Sequence, residues 1–199
     1  IRNISVSFWL RCSSCNVLIL TQRGDQMSGL TKPSLDEVRG WLSQVPDPEI
    51  PVISLTELGI IRDLRWDDDT LVVTVTPTYS GCPATSVINL DIETKLHEKG
   101  IEKLRLERQL SPPWTTDWIT PEAREKLRAY GIAPPLDGTA ADGRLMARID
   151  ALSSGNMAVS CPRCGSHHTE RVSQFGSTPC KASWRCLSCL EPFDYFKCI

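Results

Sequence analysis

Nine cysteines in 199 residues carry most of the chemistry this chain could perform, and their spacing sorts them. Cys161 and Cys164 form one CxxC knuckle (CPRC) and Cys186 and Cys189 a second (CLSC), with 21 residues between the two. Each knuckle sets two thiolates on a tight turn facing one ion. Two such turns joined by a hairpin close a tetrahedron of four sulfurs. The gap runs slightly past the usual range for such pairs, which a longer hairpin absorbs. A closed four-thiolate site leaves no open coordination position, so a structural zinc is the expected occupant. A tail of about 40 residues buries too little to fold alone, and metal binding supplies the missing stability. Cys180 and Cys198 are left over in this tail. They read either as small buried hydrophobes, or as a substitute knuckle ligand or part of an iron–sulfur cluster set, which also takes four thiolates. His167 and His168 are nearby but not needed for a set of four.

Cys82 stands alone in mid-chain, in TYSGCP (78–83), just before Pro83 and a helical pattern. A thiol at a helix N-terminus faces unpaired N–H groups and the positive dipole end, both of which favour the thiolate. Gly81 permits a tight turn, and Thr78, Tyr79 and Ser80 offer hydroxyls. The competing reading is an inert buried cysteine, the commonest fate of a free thiol. Asp47 and Glu49, in DPEIP (47–51), are two carboxylates in a loop stiffened by prolines. They suit metal ligation or acid–base work, and equally the capping of a neighbouring helix.

The odd number of cysteines excludes complete internal disulfide pairing, and most of the chain has no cysteine partner within reach. Thiol or metal chemistry in a reducing, cytoplasmic setting is therefore expected. The net charge of −2 gives no sign of a phosphate-backbone binder. In the tail, Arg163, Arg171, Lys181, Arg185 and Lys197 against Glu170, Glu191 and Asp194 leave +2, which four thiolates around a divalent ion cancel. Protein contact or structural duty is expected there rather than nucleic-acid binding. Apolar content of 41% is enough for a packed core.

These groups must be held by elements the pattern also predicts. Residues 1–26 hold apolar runs broken by Arg2, Arg11 and Arg23, too short to span a membrane. They read as an upstream extension without a folded role, with Met27 as the natural start and the CxxC of Cys12 and Cys15 incidental. Ser34 and Glu37 form a capping box before an amphipathic helix over 35–45. Ile60–Trp66 and residues 71–76 alternate as strands of a hairpin around Asp67, Asp68 and Asp69. A helix follows over about 84–99, with Ile88, Ile92 and Leu96 on one face and Gly100 as its cap. Leu104 and Leu106 mark a third strand. Thr120, Pro121 and Gly131 bracket a short helix. Residues 134–157 are rich in Pro, Gly, Ala, Ser and Asp and read as a linker. The expected organisation is thus an extension (1–32), an α+β domain with a small mixed sheet packed with helices (33–133), the linker (134–157) and a metal-bound β-hairpin ribbon (158–199).

DPEIPVISLTELGIIRDLRW (47–66), a hairpin, and TPTYSGCPAT (76–85) together resemble the SufT-like family of iron–sulfur and metal-cluster assembly domains. The features shared are the DPE-type loop, the LG-I run and a reactive cysteine in a T-x-x-GCP turn. SPPWTTDWITPEAREKLRAYGIAPP (111–135) and the terminal ribbon narrow this further. From about residue 33 onward the chain is similar to the family of D components of bacterial phenylacetyl-CoA epoxidase systems. The resemblance implies an accessory role in aerobic phenylacetate breakdown. Its partners would be the catalytic di-iron subunits and a flavin, iron–sulfur reductase, without nucleic acid or membrane. It also implies assembly or repair of an iron–sulfur or di-iron site, with Cys82 transiently holding iron or a cluster fragment and Asp47, Glu49 and Thr78 orienting or polarising it. The chain itself has no Glu-x-x-His pair for a di-iron centre and no glycine-rich nucleotide loop. Two other readings remain open. One is a purely structural role within the multicomponent monooxygenase. The other is a thiol enzyme using Cys82, for which the candidate base, His97, falls at the far end of the helix.

Overall fold

A computed structural model describes residues 32–135 and 159–197. The proposed extension, the Cys12–Cys15 motif, Cys198 and all but the first two residues of the expected linker lie outside the described residues. Pro33–Ile199 group as one compact unit.

The first helix, α1 (Leu35–Leu42), starts where its capping box predicts. Ser34 Oγ accepts from the N–H of Glu37, and the Glu37 carboxylate accepts from the N–H of Ser34. It stops at Leu42, three residues short of the expected end, because Val45 enters a turn and Pro46 pairs with Ser54 across the following loop. Strands β1 (Ile61–Asp67) and β2 (Thr70–Val75) form the predicted antiparallel hairpin, with Asp68 at φ 47° in its turn. The second helix, α2 (Thr85–Glu98), then carries the chain to β3 (Leu104–Arg108), which pairs parallel to β2. A helix is the usual way to bridge parallel neighbours. The sheet order is therefore β1-β2-β3, and central β2 is buried from Leu71 to Val75. Ile88, Ile92 and Leu96 turn into the core as the periodicity requires. The third helix, α3 (Pro121–Tyr130), has Thr120 as N-cap and ends on Gly131 in the left-handed region at φ 100°.

Residues after Gly131 do something the sequence pattern does not announce. Strand β4 (Ile132–Ala133) leaves the first sheet's territory and pairs parallel to β7 (Pro192–Phe196) of the ribbon. With β5 (Thr169–Ser173) and β6 (Lys181–Cys186) this makes a second sheet of order β4-β7-β6-β5. The Trp114 and Phe196 rings meet edge to face at 6.0 Å, and both Phe196 and Cys180 pack into the main hydrophobic core. The ribbon is therefore seated on the α+β part by shared apolar burial, which is the dominant favourable term in such contacts. The architecture is the expected α+β arrangement with a terminal ribbon. Among the described residues no helix is long and apolar enough to cross a membrane.

Candidate functional site

The four knuckle cysteines converge. The sulfurs of Cys161, Cys164, Cys186 and Cys189 all lie within 4.8 Å of one another. Cys161 and Cys189 are 3.8 Å apart and Cys164 and Cys186 3.6 Å. A tetrahedral ion with metal–sulfur bonds near 2.3 Å requires sulfur–sulfur edges of about 3.8 Å. The donor set and its spacing therefore fit a tetrahedral thiolate-bound metal. Local turns present them: Gly165 N–H donates to the Cys161 carbonyl, with Gly165 at φ 74°, and Leu190 takes φ 67° beside the second knuckle. The Cys186 thiol is held down to about 6, first by the N–H of Cys189 and, against burial, by that of Ser188.

A second cluster forms where the acidic loop folds over the β2–α2 connection. Asp47, Glu49, Thr78 and Cys82 line one small cavity, walled by Ile50, Leu58, Ile60 and Ile88. Asp47 is only 5% exposed, and its Oδ1 accepts from the N–H groups of Glu49 (2.9 Å) and Ile50 (2.8 Å). Asp47 thus shapes the loop that aims Glu49, and part of its accepting capacity is already used. The loop is pinned further by Asp47 N–H to the Ile53 carbonyl, 2.9 Å. On the other side, the Tyr79 hydroxyl packs over Gly81, 2.7 Å from where a Cβ would lie, so a larger residue there would push the Tyr79 ring aside.

The expectation of a thiolate stabilised by a helix start needs correction. The first turn of α2 begins at Thr85, with Ala84 as N-cap, so Cys82 lies two residues before the cap. Burial pushes the half-buried Cys82 thiol up, the N–H of Ala84 pulls it down, and the Glu49 charge pushes it up again. The net shift is upward. The thiol keeps its proton at neutral pH.

The cavity has a member that sequence reasoning did not place. Cys180, from the ribbon, lines the same space and is 6% exposed. Its Sγ donates to Glu49 Oε2 at 3.4 Å across 131 residues of sequence. Spacing gave no signal for this, because Cys180 belongs to neither knuckle and reaches the pocket only through docking of the ribbon.

Two family descriptions match the chain. Residues 35–102 match "Iron-sulfur cluster assembly protein" and residues 147–197 match "PaaD zinc beta ribbon domain". The chain is 46% identical over 174 residues to an Escherichia coli (strain K12) protein named as the D component of 1,2-phenylacetyl-CoA epoxidase, covering 87% of this chain and 99% of that one. The chain belongs to the family of phenylacetyl-CoA epoxidase D components. Across 46% of its length it is also 33% identical to a Porphyromonas gingivalis Fe-S protein maturation auxiliary factor and 31% identical to the Bacillus subtilis auxiliary factor YitW, spanning 89% and 91% of them. In this member of the epoxidase D family, the stretch matching the assembly description contains Asp47, Glu49, Thr78 and Cys82, whereas Cys180 lies in the stretch matching the ribbon.

Asp47 offers a direct test of what the loop needs. Asp47→Ala removes the acceptor for two N–H groups, that of Ile50 buried and that of Glu49 partly so, and is expected to cost about 2 kcal/mol. Asp47→Asn keeps an acceptor and removes a charge that burial disfavours; burial raises the Asp47 pKa above its ordinary value. Because the folded state holds this proton more tightly than the unfolded chain, ionisation of Asp47 lowers stability as pH rises from the ordinary carboxylate range through its raised value. The asparagine variant should lose that dependence and match or exceed the wild type at neutral pH in urea melts. Equal losses for both variants would assign the role to charge instead of loop shape.

Proposed function

We propose that this chain is a maturation factor for the phenylacetyl-CoA epoxidase system, in which Cys82 transiently carries iron or a cluster fragment toward the iron–sulfur reductase component. One observation carries the reading. The cysteine in the stretch that matches an iron–sulfur assembly family shares a confined pocket with two carboxylates from the facing loop and a hydroxyl from its own. The names of the Porphyromonas and Bacillus relatives support the same chemistry. Cys82 supplies the sulfur, Glu49 a second donor, Asp47 the shape of the loop, and Thr78 (8% exposed) a hydroxyl at the rim. The ribbon cysteines hold a zinc ion that keeps the second sheet folded, and the ribbon surface meets the client.

The space enclosed beside these groups is small, about 10 Å³, room for about one water or one ion.

Cells producing the Cys82→Ser chain should assemble a reductase with severalfold less iron–sulfur cluster, read from its visible absorbance and its iron and sulfide content. The variant itself should fold and keep its ribbon metal. Normal cluster content in that reductase would reject the proposal.

A further inference from the structure

We propose that the outer edge of β3 is a self-pairing surface. A second copy of this chain lays its own β3 there, antiparallel and centred on Leu106, and joins two three-stranded sheets into one.

A sheet edge presents unpaired N–H and C=O groups, and folded chains usually blunt it with a bulge, a very short strand or charges. The other outer strands are treated that way. The pairing of β1 shifts between Ile61 and Asp63, that of β5 shifts between Arg171 and Ser173, and β4 consists of Ile132 and Ala133 alone. By contrast, β3 is regular from Leu104 to Arg108, with no shift against β2 and no proline.

The phase of its hydrogen bonds identifies the free groups. Leu71 N–H donates to the Lys103 carbonyl and Gln109 N–H to the Val75 carbonyl, both at 2.9 Å. In a parallel ladder this phase turns the backbone groups of Lys103, Arg105, Glu107 and Gln109 toward β2. Those of Leu104, Leu106 and Arg108 therefore point outward, and among the described residues no strand pairs with them.

Charge decides the occupant and its register. Outward groups of two antiparallel copies meet only when the pairing centres on a residue of the strand. Centring on Arg105, Glu107 or Arg108 sets a charge against its own copy, and centring on Leu104 sets Arg105 against Lys103. Centring on Leu106 places Arg105 opposite the second copy's Glu107, and Glu107 opposite the second copy's Arg105. Opposite charges directly across a strand pair stabilise it, and like charges destabilise it. Arg105 and Glu107 already meet Asp67 and Arg65, yet their side chains remain 49% and 38% exposed and within reach. On the other face Leu106 meets its own copy. Leu104 and Leu106 are half-buried at the rim of the main core, so the contact also covers apolar surface. Charges of one sign would repel a second copy, whereas signs that alternate about Leu106 fit the edge to itself. The contact is isologous and closes at a dimer. The Cys82 turns that follow β2 then lie at opposite ends of the joined sheet, away from the pairing.

The test uses the full chain with its ribbon metal, followed over a concentration series by sedimentation and residue-resolved amide exchange. The wild type should pass from monomer to dimer as concentration rises. With that change the amides of Leu104, Leu106 and Arg108 should gain protection, while those of Arg105 and Glu107 stay protected throughout. Arg105→Glu sets like charges across the axis and should weaken the dimer at least about tenfold. Adding Glu107→Arg to Arg105→Glu restores opposite charges and should return affinity to within about threefold of the wild type. Urea melts check that loss of these exposed pairs leaves each variant folded; if one unfolds, the alternating protection in the wild type decides. A monomer at every concentration, a dimer indifferent to Arg105→Glu, or no rescue by the double swap in folded protein overturns the proposal. Protection of Leu106 that is independent of concentration also overturns it, and would place a segment of the same chain on the edge.

Discussion

Cys186→Ser is expected to abolish metal binding in the ribbon and to unfold residues 159–197 while α1 to β3 stay folded. The ribbon's own core is small: Ala133, Val159, Ala182, Trp184, Phe193 and Tyr195 with two of the ligand cysteines. Structural zinc in comparable small modules contributes on the order of 10 kcal/mol at neutral pH, as much as the whole stability of a typical domain. Removing one ligand therefore exceeds anything the remaining contacts offset. The consequence reaches the Cys82 pocket, because Cys180 and Phe196 form part of its wall. Hydrogen exchange should show β5, β6 and β7 losing protection and β1, β2 and α2 keeping theirs. Full protection across β6 and β7 in the variant would show that the metal is dispensable to the ribbon.

Gly59→Ala should be the most damaging single methyl in the α+β part. Gly59 takes φ 74°, where an L side chain is strained by roughly 1–2 kcal/mol. A Cβ there would also lie 2.7 Å from the Trp118 Cβ and 2.8 Å from the Trp118 carbonyl oxygen. Neither neighbour is the free end of a flexible chain. Trp118 is stacked under the Arg62 guanidinium at 3.4 Å, and the nearby Trp114 indole donates to the Leu58 carbonyl at 3.0 Å. Overpacking of this kind typically adds about 1–3 kcal/mol, so a total loss of about 3 kcal/mol is expected in urea unfolding. Gly100→Ala is the matched control. It has φ 83° with nothing within 4 Å of an added Cβ, so it should cost only the backbone share. Equal losses at the two positions would remove Trp118 from the account.

Local chemistry was legible wherever a short stretch of chain decides the outcome. Ser34 with Glu37, and Thr120 with Pro121 and Gly131, set helix ends through hydrogen bonds and backbone angles within a few residues. The β1–β2 hairpin followed from alternation around an acidic turn, and the two CxxC knuckles gave the ribbon because each pair of ligands shares one tight turn. DPEIP and T-x-x-GCP marked their residues as candidates, but the thiolate expected of Cys82 did not follow. Its thiol is pushed up first by burial and then by the Glu49 charge, and both arise only when the loop folds over the β2–α2 turn.

The helices and strands, the four-sulfur knuckle set and the two candidate loops can thus be read from the chain, because each rests on interactions spanning a few residues or one hairpin. Folding alone brings β4 into the ribbon sheet, packs Phe196 on Trp114 and sets Cys180 against Glu49. Those contacts join parts of the chain that no local period links. They form because the ribbon and the α+β part bury apolar surface against each other, and that burial carries Cys180 to Glu49.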